Sequence, residues 1–272
     1  MIELHHNNMS SCAQKVRLAL EEKGLAWESR HLDLRARDQH KPAYLKLNPG
    51  AVVPTLVHDG FVVIESTVIN EYIDDAFEGP ALRPADAAGK ARMRLWTKKL
   101  DEGLHADTGV LSTSIAFRYQ KFDKGEAEVQ ALIDNTPDPV KRERVRANIR
   151  EGVKSRYFAA SVLRFDALLA RMEETLTQSP WLAGNAYSLA DINYAPYITR
   201  LDHLRMQAMW DERPHVAAWY ARLAARPAYQ TAFVKWFSPA YLELMKKHGE
   251  QEWPVIAGII RDNAGKAMEN AE

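Results

Sequence analysis

The spacing of apolar residues changes several times in the first part of the chain. Ile2 and Leu4 sit in a short run ending at His5, which predicts a strand. Behind the polar start at Ser11, the residues Ala13, Val16, Leu18, Ala19 and Leu20 recur at helical spacing and stop before Gly24, which predicts a helix over 11–23. Trp27, His31 and Leu32 alternate among charges and predict a second strand over 26–34. A short helix over 42–47 ends in the breaker run Asn48-Pro49-Gly50. Two apolar runs, 55–58 and 61–64, flank Asp59-Gly60, the strongest short-range signal for a hairpin. A helix over 66–77 follows. The order β-α-β-α-β-β-α implies a small mixed sheet carrying helices.

From Ala87 onward the pattern is helical throughout. Met93, Trp96, Leu100, Leu104, Leu111 and Ile115 mark one face of a long helix. The stretch 121–156 is densely charged and broken at Thr136-Pro137-Asp138-Pro139, as in an exposed helical hairpin or a solvated loop. Val162, Phe165, Leu169, Met172 and Leu176 mark the next helix. Ser188-Leu189-Ala190-Asp191 has the form of a capping box, and Pro214 and Pro227 each suit the first turn of a helix. After Ser238 the chain is partly apolar to Ile260, then polar, which predicts a frayed end. The expected division is an α/β domain over 1–82 and an all-α domain over 88–272, with a charged insertion at about 119–156.

Composition narrows the function classes. The 36 basic and 36 acidic residues cancel, so no net field favours a nucleic acid or an anionic membrane. Cys12 is alone and has no internal disulfide partner, unlike the cysteines of a stapled secreted fold. The start of the chain lacks the basic and apolar regions of a signal peptide, and no run approaches a bilayer span. A cytoplasmic protein that needs no metal is expected.

Four local features carry chemistry. Ser10-Ser11-Cys12 opens the first helix, where free N–H groups and the positive dipole end favour an anion and a hydroxyl can donate to a thiolate. Lowering a thiol pKa from about 8.5 by two units takes roughly 2.7 kcal/mol. A hydrogen bond to a charged group supplies about 1.5–3 kcal/mol and a helix end about 0.3–1, so the pair suffices and the dipole alone does not. The same serines also suit a plain helix cap. Val52-Val53-Pro54-Thr55 precedes a strand, and a cis bond before Pro54 would turn the backbone of Val53 towards an extended peptide. Glu65-Ser66 lies at a strand-to-helix junction suited to a carboxylate and an ammonium. His40, beside Lys41, is placed to meet a second carboxylate or simply to be exposed in its loop. Cys12, within the helix, is expected to be a buried small residue.

Together these features resemble the glutathione transferase superfamily. SSCAQKVRLALEEK, from Ser10 to Lys23, looks like the start of the zeta class. Leu47-Asn48-Pro49, Val53-Pro54-Thr55-Leu56, Asp59-Gly60 and Glu65-Ser66 resemble the superfamily's glutathione site. Glu65-Ser66-Thr67-Val68-Ile69 and Leu82-Arg83-Pro84-Ala85-Asp86 are most similar to a bacterial branch that includes β-aryl etherases. The long insertion resembles that branch more than a compact maleylacetoacetate isomerase. The resemblance implies a thioredoxin-like N-terminal domain and an all-helical C-terminal domain, with glutathione as co-substrate. It implies Ser10 or Ser11 as the thiol activator, with His40, Val53, Pro54, Glu65 and Ser66 holding glutathione. A small apolar electrophile is expected against Met9, Leu104, His105, Thr108 and Leu111, with Phe117 and Trp236 or Tyr241 as further contacts. The implied reaction is transfer of an alkyl or aryl group to the thiolate; etherase, isomerase and dehalogenase variants stand beside it. A non-catalytic binding module is the reading from another class. A homodimer is also implied.

Overall fold

A computed structural model describes the backbone of residues 1–269 and the side chains of 1–265. By packing, the chain forms two compact units. The first takes Met1–Leu100, Thr175–Ile198 and Ala218–Ser238; the second takes Asp101–Glu174, Thr199–Ala217 and the chain from Pro239 onward.

In the first unit, β1 (Ile2–His6), α1 (Ser11–Glu22) and β2 (Glu28–His31) form a parallel βαβ turn. A short helix, α2 (Pro42–Leu45), leads to β3 (Thr55–His58) and β4 (Phe61–Val63), followed by α3 (Ser66–Ala76). The sheet order is β2-β1-β3-β4, with β3 antiparallel to both neighbours. Asp59 and Gly60 both have left-handed φ, 48° and 84°, the geometry of a tight hairpin turn matched to strand twist. Leu4, Val16, Leu20, Leu56, Ile69 and Ile73 are fully buried and make the core of the sheet and helices. The exposed residues of β2, Glu28 to His31, put charge on the open edge of the sheet, which discourages pairing with another chain. This is the thioredoxin-like arrangement expected.

After α3 the described regular elements are all helical, apart from one bridge between Trp181 and Gly184. α4 (Ala87–Lys99) belongs to the first unit. α5 (His105–Ser112), α6 (Arg118–Phe122), α7 (Glu126–Asp134) and α8 (Pro139–Arg150) belong to the second. α9 (Arg156–Gln178), α10 (Leu189–His203) and α11 (Pro214–Ala224) each cross a border between units, while α12 (Pro227–Ala232) and α13 (Pro239–Glu269) do not.

Two expectations require correction. The apolar stripe from Met93 to Ile115 is not one uninterrupted helix: π-helical turns occupy Leu100–Leu104 and Thr113–Phe117, and Gly103 adopts φ 147°. Without a Cβ, Gly103 takes a conformation closed to other residues; the residues of the stripe fall in both units, Met93 to Leu100 in the first and Leu104 to Ile115 in the second. The polar end of the chain does not fray where expected; α13 passes through Pro254 and continues to Glu269. Residues 270–272 lie outside the described residues. The charged insertion is a helical hairpin of α7 and α8 with its own apolar cluster of Val129, Ile133 and Ile149.

Candidate functional site

Strand pairing places three of the four predicted features at one end of the sheet. β1 ends at His6 and the chain turns into α1. The ladder between β1 and β3 begins where Thr55 faces His5, so Val53 and Pro54 enter from that same end. β4 runs opposite to β3 and its last residue, Val63, faces Leu56; Glu65 and Ser66 therefore leave from that end too. The start of α1, the Val53–Pro54 turn and the start of α3 are thus neighbours through register alone. His40 closes a 3-10 turn, Asp38–His40, on the connection from β2, and its position is not governed by these pairings.

Ser10 is the N-cap of α1. Its backbone is extended, and its Oγ accepts from the N–H of Ala13 at 3.3 Å. Ser11, the first helical residue, is buried. Cys12 is half-buried rather than fully buried as expected, whereas its neighbours Ser11 and Ala13 are buried. The loop before Ser10 is braced from several sides. Asn7 Oδ1 accepts from Met9 N (3.0 Å), and Asn7 Nδ2 donates to Leu32 O (2.9 Å). Arg17 donates to the carbonyls of Asn7 (3.1 Å), Asn8 (3.0 Å) and Ala232 (2.7 Å). Burial lowers the Arg17 pKa to about 9, which leaves it charged at neutral pH.

The Val53–Pro54 bond is cis, as its sequence context suggests. The turn that carries it is held by Asn48 and Tyr44. Asn48 Nδ2 donates to Val52 O and to Thr55 Oγ1, both at 3.1 Å, while its Oδ1 accepts from Gly50 N (3.0 Å). Tyr44 Oη lies 2.9 Å from Thr55 Oγ1 and also donates to Val52 O. From the sequence, Asn48 reads as a helix breaker and as part of a segment resembling the glutathione site, with no side-chain role of its own.

Glu65 is exposed and has φ 67°, uncommon for a residue with a Cβ and a frequent mark of functional sites. It occupies the N-cap of α3, and its side chain makes no capping bond there. Ser66 is buried at the first helical position. His40 is exposed, and its neighbour Lys41 pairs with Asp38 at 2.7 Å.

The residues expected around an electrophile fall in both units. Met9, in the first, is buried, and its sulfur accepts from Ser238 N at 3.5 Å. In the second, Leu104, Thr108 and Leu111 are buried, and Thr108 Oγ1 donates to Leu104 O at 3.0 Å. His105 is exposed. Tyr241 packs edge-on against Phe117, with ring centroids 5.6 Å apart. Trp236 lies in the first unit, edge-on to His6 with centroids 4.9 Å apart. Among the described residues, no group of histidine, cysteine or carboxylate side chains is arranged to hold a metal ion, and no helix is long and apolar enough to cross a membrane.

Comparison with known proteins adds to this geometry. Residues 9–76 match the family described as glutathione S-transferase, N-terminal domain, and residues 149–227 match glutathione S-transferase, C-terminal domain. Protein LigF of Sphingobium sp. (strain NBRC 103272 / SYK-6) is 35% identical over 228 residues, covering 79% of this chain and 86% of the relative. The crystal structure of that β-etherase superposes with a TM-score of 0.76 at 32% identity, covering 86% of this chain and 99% of the other. Tetrachloro-p-hydroquinone reductive dehalogenase of Sphingobium chlorophenolicum is 29% identical, over 86% of this chain and 96% of the relative. A theta class glutathione S-transferase from Xanthomonas axonopodis pv. citri, solved with glutathione bound, matches at TM-score 0.62 and 28% identity over 85% of this chain and 96% of that chain.

Proposed function

The chain belongs to the glutathione S-transferase superfamily, and on that premise we propose that Ser10 activates the thiol of bound glutathione for attack on a hydrophobic aromatic electrophile. The protein is a glutathione-using transferase. The observation that carries the finer reading is the role of Ser10 as N-cap. Its Oγ accepts from Ala13 N, so its own O–H is directed elsewhere and can donate to a thiolate held at the start of α1. Ser11 is buried within the helix, which favours Ser10 as the donor.

The remaining assignments follow the same end of the sheet. Val53, one residue before the cis-proline, offers its backbone to the cysteinyl part of glutathione, with Pro54 fixing its direction. The side-chain-uncapped N-terminus of α3, with Ser66, receives the γ-glutamyl carboxylate, and Glu65 receives the ammonium. His40 meets the glycine carboxylate. The N-terminal domain, residues 1–82, supplies these contacts, and Leu104, His105, Thr108 and Leu111 are candidates for electrophile contacts in the helical part.

In the reaction, the thiolate forms a C–S bond as the bond from that carbon to a phenoxide or halide breaks, and the leaving group carries away the electron pair. The likeness to a β-etherase and to a dehalogenase supports leaving groups of these kinds. The resemblance to the superfamily supports the proposed homodimer. The proposed compartment is the cytoplasm, where glutathione is kept reduced.

The test is thiolate absorbance of bound glutathione against pH in wild type, Ser10→Ala and Ser11→Ala. Ser10→Ala is expected to raise the thiol pKa by about one unit or more, the loss of roughly 1.4 kcal/mol. A wild-type thiol that titrates as in water, or a shift confined to Ser11→Ala, removes Ser10 from this role.

A further inference from the structure

The electrophile contacts assigned to the second unit are mainly apolar, with Leu104 and Leu111 buried. A positive charge lies among them that the proposed reaction does not use. Arg200, on α10, belongs to the same unit and is only 5% exposed. Its Nη1 donates at 3.1 Å to the Oγ of Ser112, the residue after Leu111, and its guanidinium lies 5.3 Å from the Phe117 ring. Tyr241 packs edge-on against that same ring and acts electrostatically on Arg200. Phe117 is thus flanked by a guanidinium and a phenol, all within one unit.

A buried cation is costly unless something offsets it. Burial lowers the Arg200 pKa to about 10, which leaves it charged at neutral pH. Ser112 and Phe117 meet it without a counter-charge. The buried acid of α5, Asp107, is held elsewhere, by Ser161 at 2.8 Å and Arg164 at 2.6 Å. Lys121 adds charge of the same sign. It follows Phe117 by four residues, which puts the two on one helix face. It is half-buried, burial lowers its pKa to about 8, and its ammonium makes no hydrogen bond or ion pair among the described residues.

A guanidinium and a phenolic O–H beside one aromatic ring suit a carboxylate carried on an aromatic guest, since both groups donate and the guanidinium does so in a plane. A purely apolar wall selects only size and hydrophobicity. Donors built into it discriminate strongly against an analogue that cannot meet them.

We propose that the electrophile carries a carboxylate on its aromatic ring, which pairs with the Arg200 guanidinium and accepts from the Tyr241 hydroxyl. This assignment rests on the transferase reading above and specifies its substrate class, an aromatic acid rather than a wholly apolar ring. Arg200 and Tyr241 set specificity and take no part in making or breaking bonds at the reacting carbon. Lys121 contributes a favourable field.

The experiment measures kcat/KM at saturating glutathione for 4-chloro-3-nitrobenzoate and its neutral counterpart 4-chloro-3-nitrobenzamide, in wild type, Arg200→Met, Arg200→Lys and Tyr241→Phe. The acid-to-amide ratio is compared between proteins, so the intrinsic reactivities of the two substrates cancel. Arg200→Met should lower the ratio by about tenfold or more, and Tyr241→Phe by about threefold to tenfold, as for hydrogen bonds to a charged group. Arg200→Lys keeps the charge without the planar fork, so its ratio should fall between those of wild type and Arg200→Met. Tyr241 is partly exposed, so Tyr241→Phe tests the proposal even where Arg200→Met fails to fold. Turnover of the amide with one acid-to-amide ratio in all the folded proteins overturns the carboxylate assignment and leaves the transferase reading standing. Turnover of neither substrate by wild type overturns both.

Discussion

Arg17 and His6 share one hydrogen bond, Nη1 to Nδ1 at 3.0 Å, and through it the middle of α1 is tied to the last residue of β1. Both side chains are fully buried, and no carboxylate bonds the guanidinium; it is satisfied by three backbone carbonyls and a neutral imidazole. Two of those carbonyls, from Asn7 and Asn8, belong to the loop that delivers Ser10 to its cap position. The arrangement converts a buried charge into a clamp on the loop nearest the proposed chemistry. A buried cation tolerates this only because its donors are met.

Acid should therefore loosen the protein through His6. Burial, then the Arg17 charge, push its pKa down to about 3, against roughly 6.5 in an unfolded chain. The unfolded state binds the extra proton over that interval, so the stability contributed by neutral His6 is complete above pH 6.5 and is lost as pH falls towards 3. The slope is up to about 1.4 kcal/mol per pH unit. His6→Asn keeps an acceptor for Arg17 without a titrating ring. Urea unfolding of both proteins from pH 7.5 to 5 should show the gap between them narrowing as pH falls; parallel curves would exclude His6 as the acid-sensitive group.

Asp191 closes the capping box at the start of α10 and does more than cap. Its carboxylate accepts from Ser188 N (3.0 Å), Ser188 Oγ (3.2 Å), Leu182 N (3.0 Å) and Trp219 Nε1 (2.8 Å), all within the first unit. Asp191→Ala strands buried donors and should cost about 3 kcal/mol or more, beyond the roughly 1 kcal/mol of an ordinary cap. A loss near 1 kcal/mol in equilibrium unfolding would mean that water replaces the carboxylate.

The contrast between Asp191 and Arg17 shows what a single sequence reveals. Ser188-Leu189-Ala190-Asp191 is local, so its cap is readable from spacing, as are the Asp59-Gly60 turn and the helix signal after Ser10. The Trp219 bond to Asp191 and the Ala232 bond to Arg17 join residues far apart in sequence, and no period or motif announces them. Asn48 is ambiguous for a different reason. Its type suits a helix end, and only burial beside Thr55 shows that it braces the cis-proline turn. Gly103 escapes notice because a glycine inside an apolar stripe hardly disturbs the pattern, while its φ of 147° interrupts the helix. The electrophile contacts are the least readable, since a residue facing a ligand and one facing the core share the same apolar spacing.

Ser66 provides a test of the proposed carboxylate site at α3. Glu65, the N-cap of that helix, makes no side-chain capping bond, and Ser66 adds a hydroxyl at the first helical position. Ser66→Ala should raise KM for glutathione about tenfold, as expected for a lost hydrogen bond to a charged group. The rate at saturating glutathione should change little, because the γ-glutamyl end is remote from the reacting sulfur. Steady-state kinetics with glutathione varied will separate the two effects, and a fall in kcat at unchanged KM would place Ser66 in the chemistry instead.

Gly249 tests the packing of the second unit. It lies in α13, where a Cβ would come 2.1 Å from Leu204 O and 2.5 Å from the Leu204 carbonyl carbon. Both contacts are with backbone, so no flexible side chain can swing away; Gly249→Ala forces the helix itself to shift. The helix propensity of alanine would favour the substitution by about 1 kcal/mol in an open helix. Overpacking typically costs about 1–3 kcal/mol, and with immovable backbone the upper part of that range applies. The net expectation is destabilisation by about 1–2 kcal/mol. Gly258, on the same helix, is the control: a Cβ there would meet no atom within 4 Å, so Gly258→Ala should be neutral or stabilising. Thermal unfolding of the two variants beside wild type reads the difference directly. If both substitutions stabilise equally, the close approach of α13 to Leu204 is not maintained in solution.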